Sequence, residues 1–75
     1  MITNSSSHIL ILGAGSDQVK AIKIAQDIGI TVTSIDSNKN APGAKVSNFF
    51  FNVSNRDVKA INNVIKNSEI PIDGI

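Results

Sequence analysis

A chain of 75 residues with 41% hydrophobic and 17% charged side chains has room for one small globular domain, and that balance excludes a disordered or fibrous protein. A net charge of +1 is too small to suggest a nucleic-acid or polybasic membrane surface. The absence of cysteine excludes disulfides, thiolate metal ligands and a cysteine nucleophile, which fits a cytoplasmic protein, and aromatics confined to Phe49, Phe50 and Phe51 leave the core aliphatic.

Residues 1–7 carry neither a basic n-region nor an apolar h-region and read as a disordered polar tail, not a signal peptide. No apolar run approaches the roughly 18 residues that would span a membrane. Asn4-Ser5-Ser6 and Asn52-Val53-Ser54 match the glycosylation sequon, but without secretion they are chance matches. The domain proper occupies residues 8–75. Residues 8–12, HILIL, form a continuous apolar run of the kind found in a parallel strand covered on both faces. Over residues 17–28 the pattern becomes helical, with Ala21, Ile22, Ala25 and Ile28 in one stripe and Lys20, Lys23 and Asp27 towards water. Ser16 or Asp17 is placed to cap this helix and Gly29 to end it.

Residues 30–35, ITVTSI, are β-branched and predict a second strand, followed by the turn-forming loop DSNKNAPGA at 36–44 with room for a helical turn. A third strand is expected at 49–53. Ser54 is then expected to cap a helix, with Asp57 in the acidic position of a capping box. Val58, Ile61, Val64 and Ile65 form the apolar face of that helix, opposite Lys59, Asn62, Asn63 and Lys66. Pro71 stops the helix, and Ile72-Asp73-Gly74-Ile75 reads as the start of a fourth strand. The order β-α-β-β-α-β predicts an α/β fold, a Rossmann-like three-layer half-domain with a parallel sheet. Right-handed crossovers give the strand order 3-2-1-4, truncated at the fourth strand. A chain stopping there reads as a fragment, and its exposed edge or Phe-rich surface is expected to self-associate.

The chemistry is concentrated after the first strand, in Gly13-Ala14-Gly15-Ser16-Asp17-Gln18. Gly-x-Gly lets the backbone turn tightly and approach a ligand, and the following helix offers free N–H groups to an anion. The dinucleotide version of this loop needs a small sixth residue for close strand–helix packing, and Gln18 is too large. Asp17 in the first turn already complements the helix N-terminus and competes with a pyrophosphate. Asp36 stands twenty-one residues past Gly15, at the end of the second strand, where NAD enzymes place a ribose-binding acid. The plain alternative is that the glycines only make a turn and Asp36 only opens a loop. Gln18 could present its amide at the mouth of the loop to a carboxylate or phosphate, or be an ordinary exposed helix residue. Asn38 and the run Asn40-Ala41-Pro42-Gly43 serve either turn chemistry or a rim folded over the strand ends. His8, at the opposite end of its strand, reads as structural or exposed.

Taken together, Leu12-Gly13-Ala14-Gly15, Gln18, the helix containing Ile22, Lys23 and Ala25, Gly29, Ile35-Asp36, the run 38–43, Asp57 and Ile72-Asp73-Gly74 resemble the N-terminal, pre-ATP-grasp domain of ATP-grasp ligases. The chain looks closest to carbamoyl-phosphate-synthase-like members, with carboxyaminoimidazole ribonucleotide synthetases more distant, and the likeness covers residues 8–75. Lys39 stands where many relatives have proline, and Val46-Ser47-Asn48 replaces an Ala-Asp pair common before the third strand. The resemblance implies that Gly13, Ala14, Gly15 and Gln18 form a substrate-side loop, with Asp36 and Asn38 on the adjacent rim. It implies a small-molecule acceptor substrate and ATP-grasp domains elsewhere in a parent chain, where ATP and magnesium are held and a carboxylate is activated as an acyl phosphate. No cofactor, metal ligand or catalytic residue is expected in these residues themselves, nor a nucleic-acid or membrane partner. The alternative from a different class is an NAD(H)-binding Rossmann domain of a redox or regulatory protein.

Overall fold

The computed structural model describes residues 7–75, so the tail expected at 1–7 lies, apart from Ser7, outside the described residues. The elements run β1 (His8–Leu12), α1 (Ser16–Asp27), β2 (Thr31–Ile35), α2 (Pro42–Val46), β3 (Phe49–Phe51) and α3 (Val58–Lys66). The three strands form one parallel sheet in the order β1-β2-β3. His8 stands opposite Thr31 and Leu12 opposite Ile35, while Thr33 to Ile35 pair with Phe49 to Phe51. Residues 72–75 form no strand. They meet β1 through a single parallel bridge between Ile9 and Gly74, in which the Leu10 N–H donates to the Gly74 carbonyl at 2.9 Å and the Asp73 N–H to the His8 carbonyl at 2.7 Å.

The two-residue period of a strand divides the apolar side chains between the faces. Ile22 and Ala25 of α1 are buried against Val32, with Ile9, Ile11, Ile30 and Val46 packed around them. The opposite face carries Leu10 and Ile35, both fully buried, and ends in the half-open rings of Phe49 and Phe51 on the edge strand β3. His8 also belongs to this face and has no exposed surface. Its Nε2 lies 2.7 Å from Thr33 Oγ1, and its Nδ1 donates to the Ile70 carbonyl at 2.9 Å, since a carbonyl can only accept. With the His8 N–H donating to Asp73 Oδ2 at 2.9 Å, this residue pins segment 70–73 to β1. His8 is structural.

Three end-of-element expectations are corrected. Neither Ser16 nor Asp17 caps α1: Ser16 is already helical, and the N-cap is Gly15, with extended backbone and no side-chain cap. Ile28 is not in the buried stripe but 72% exposed, because it stands outside the last turn as the C-cap, immediately before Gly29 at φ +90°. Ala21 is likewise exposed. Helix α3 is capped by Asp57, whose Oδ1 accepts from the Ala60 N–H at 3.0 Å, and not by Ser54. The chain first turns at Ser54, whose hydroxyl accepts from the Arg56 N–H and whose carbonyl accepts from the Asp57 N–H, so the helix begins one turn later than expected. Val58 consequently sits at the first position of α3, 67% exposed, while Val64 is buried. No helix among the described residues is long and apolar enough to cross a membrane.

Candidate functional site

In open parallel sheets ligands bind beyond the carboxyl ends of the strands. Here those ends lead into residues 13–15, residues 36–41 and Asn52. Gly13, at φ +104°, makes a turn that an L side chain would strain, and its N–H extends the β1–β2 pairing by donating to the Ile35 carbonyl at 2.8 Å. The chain then drops Ala14 into a fully buried position. Both polar groups of Ala14 are used: its N–H donates to Asp36 Oδ2 at 2.8 Å, and its carbonyl accepts from the Gly43 N–H at 2.7 Å.

Gly43 resolves the difficulty posed by Gln18. A Cβ on Gly43 would stand 2.8 Å from the Ala14 oxygen and 3.0 Å from the Ala14 Cβ. The small residue that lets another element approach the glycine loop is therefore in α2, not at the sixth position of the loop. Gln18 is freed from that packing demand and sits half-buried on the first turn of α1, its own N–H donating to the Gly15 carbonyl at 2.9 Å. Gly15 differs from both other glycines: its φ is −67°, and an added Cβ would meet no atom within 4 Å.

The rim is built around Asp36. Its Oδ1 accepts from the Asn38 N–H at 2.9 Å while Oδ2 takes the Ala14 N–H. These bonds, from Asn38 first and Ala14 second, favour the charged form and hold the carboxyl below its ordinary value of 3.8, against a smaller opposing effect of burial. Asn38 Oδ1 in turn accepts from the Asn40 N–H at 3.0 Å. From the end of β3, the Asn52 amide donates to the carbonyls of Asp36 and Ser37 at 2.9 and 3.0 Å. The structure thus brings Gly13, Ala14, Asp36 and Asn38 into one bonded network, with Gly15 and Gln18 beside it at the start of α1.

Sequence reasoning passed over Gly43 as a packing residue and Asn52 as a loop tie. It also passed over the polar seat of α2, where Ser47 Oγ donates to the Gly43 carbonyl at 2.7 Å and lies 2.6 Å from Ser34 Oγ. The one available signal was position: Asn52 directly follows the third strand. The N–H groups of Gly13, Ala14, Asn38 and Asn40 and both Asp36 oxygens are taken in internal bonds, so the donors beside the network are those of the first turn of α1, which has no side-chain cap and carries Asp17. Among the described residues no cluster of three or more His, Asp or Glu could hold a metal ion. A cavity of about 310 Å³ lies elsewhere, against the other face, lined by Thr33, Phe49, Phe51, Asn67, Ser68 and Glu69.

No protein-family model matches the chain. No curated protein matches it. Among solved structures five chains match. The chain is similar in fold to N5-carboxyaminoimidazole synthetase from Staphylococcus aureus, solved in complex with ADP. That likeness has a TM-score of 0.75 at 25% identity and covers 91% of this chain but 18% of the synthetase. It supports the expected relation to the N-terminal domain of ATP-grasp ligases and does not bear on the carbamoyl-phosphate-synthase-like subtype.

Proposed function

We propose that this chain is the acceptor-side N-terminal domain of an ATP-grasp carboxylate–amine ligase and that Gly13, Ala14, Gly15, Gln18, Asp36 and Asn38 form its substrate-side loops. The observation that carries this reading is Gly15. Neither backbone strain nor packing requires that glycine: its φ is ordinary, a Cβ would meet open space, and as an N-cap it leaves the first N–H groups of α1 without a side-chain acceptor. Ser, Asn or Asp would stabilise the helix better at that position. What glycine provides instead is an unobstructed approach to the backbone donors of Ser16 and Asp17.

The fold likeness to the carboxyaminoimidazole synthetase favours an aminoimidazole as the acceptor, ahead of the carbamoyl-phosphate-synthase-like reading of residues 8–75. In the whole ligase, ATP and magnesium would be held by domains outside these residues and would activate the carboxylate, while this domain binds and orients the amine. A complete fourth strand beside β1, in the order 3-2-1-4, would extend the single bridge at Gly74. The setting proposed is the cytoplasm. Titrating the ¹⁵N-labelled chain with aminoimidazole ribonucleotide and, separately, with NADH tests the reading. Shifts confined to residues 13–18 and 36–41 with the ribonucleotide support it. NADH binding at micromolar strength that disappears in Asp36→Ala overturns it in favour of the redox class.

A further inference from the structure

Asp36 does something other than line the rim. Its two carboxylate oxygens are divided between two different loops, Oδ2 to the Ala14 N–H and Oδ1 to the Asn38 N–H. Ala14 is the more constrained partner, fully buried, with its carbonyl held by Gly43 of α2. The Asn38 side chain continues the chain of bonds to Asn40, and Asn52 fixes the Asp36 carbonyl from the end of β3. A continuous path therefore runs from α2 through the Ala14 peptide to the Asp36 carboxylate and on to Asn38 and Asn40. Every link is a hydrogen bond of 2.7–3.0 Å.

We infer that Asp36 is a positioning residue, a latch that makes the glycine loop and residues 36–41 a single conformational unit. A charged carboxylate holds both N–H groups at once, and such charge-assisted bonds are about twice as strong as neutral ones. A proton on either oxygen turns that oxygen from acceptor to donor and leaves one of the two loops unheld. Of the surrounding elements, α1 carries Asp17 in its first turn and Lys20, Lys23 and Asp27 further along, α2 carries Lys45, the loop itself carries Lys39, and the end of β3 contributes the uncharged Asn52. The consequence for ligand binding rests on the function proposed above: a ligand seated on the glycine loop is held more weakly once Asp36 is protonated. The latch itself does not depend on that function.

An amide proton bonded to a carboxylate shifts when the carboxylate titrates, so the test needs no ligand and no variant. The ¹H–¹⁵N spectrum of the chain is followed from pH 7 to pH 3. The expected result is that the Ala14 and Asn38 amides move together with one midpoint, below 3.8. An Ala14 amide that stays flat while Asn38 moves, or that follows a different midpoint, overturns the latch and leaves Asp36 as a local turn residue. In Asp36→Asn the common titration should vanish, and amide exchange at Ala14 and Asn38 should speed at least tenfold more than at Leu10 and Val32. Equal acceleration at all four sites would count against a local latch. If aminoimidazole ribonucleotide fails to bind while the two amides still titrate together, the functional reading falls and the latch stands.

Discussion

Replacing Gly43 with alanine is the sharpest perturbation available, because two general rules disagree about its sign. In a helix interior alanine is favoured over glycine by about 0.5–1 kcal/mol. Here, though, the added Cβ would stand 2.8 Å from the Ala14 oxygen, 3.0 Å from the Ala14 Cβ and 3.1 Å from the Ala14 carbonyl carbon. Ordinary contact begins at 3.4 Å, and the atoms in the way are mostly backbone rather than the end of a flexible side chain. Ala14 cannot retreat, being fully buried and tied to Asp36 through its N–H. Helix α2 must move instead, which stretches the 2.7 Å bond from the Gly43 N–H to the Ala14 carbonyl. Overpacking of this kind costs about 1–3 kcal/mol. Weakening the bond costs about 0.5–1.5 kcal/mol more. After the helical gain is subtracted, a net loss of about 0.5–4 kcal/mol remains, with a fall in Tm of about 2–30 °C for a domain of this size. Urea unfolding of both proteins measures it, as a lower midpoint at unchanged slope. A Gly43→Ala protein equal to or more stable than the parent would refute the packing of α2 on the glycine loop.

Other outcomes follow from single contacts. Asp57→Ala removes the cap on the Ala60 N–H and should cost about 0.5–2 kcal/mol in the same assay, whereas Ser54→Ala should cost less. The reverse order would restore Ser54 as the cap. Gly13→Ala forces an L side chain to φ +104° and should destabilise by about 1–3 kcal/mol, although space is free around it; an unchanged midpoint would contradict that backbone geometry. Because the folded-state pKa of Asp36 lies below its ordinary value, the carboxylate contributes stability above about pH 3.8 and that contribution is lost as pH falls further. The difference in melting temperature between the parent and Asp36→Asn should therefore narrow on acidification below that value, and a difference independent of pH would contradict it.

The sheet and helices were largely legible because their signals are local and periodic. The run HILIL, the stripe at Ile22 and Ala25 and the β-branched ITVTSI each declare one element, and three such elements in alternation imply a parallel sheet. The ends were less legible. Ser16 and Ser54 both look like caps, but a cap is chosen by where the chain finishes turning, and that depended on the extended backbone at Gly15 and on the extra turn after β3. Within the candidate site, Gly13 and Asp36 could be singled out from motif spacing. Their bonding to each other through Ala14 could not, since it depends on the strand register that brings Leu12 opposite Ile35. Gly43 escaped for the same reason. Its need to be small comes from a residue 29 positions earlier, and no local pattern encodes that contact.

The central claim is that Gly15 is glycine for access rather than for the fold, and one paired measurement on Gly15→Val tests it: the melting temperature, and calorimetric binding of aminoimidazole ribonucleotide. With no atom within 4 Å of the new Cβ and an ordinary φ, the variant loses only the N-cap preference of glycine over valine, about 0.5–1 kcal/mol, and should stay folded with a Tm about 2–8 °C below the parent. It should lose ribonucleotide binding by at least tenfold. Unchanged binding in a stable variant would contradict the claim and leave the glycine loop as a turn that no substrate touches.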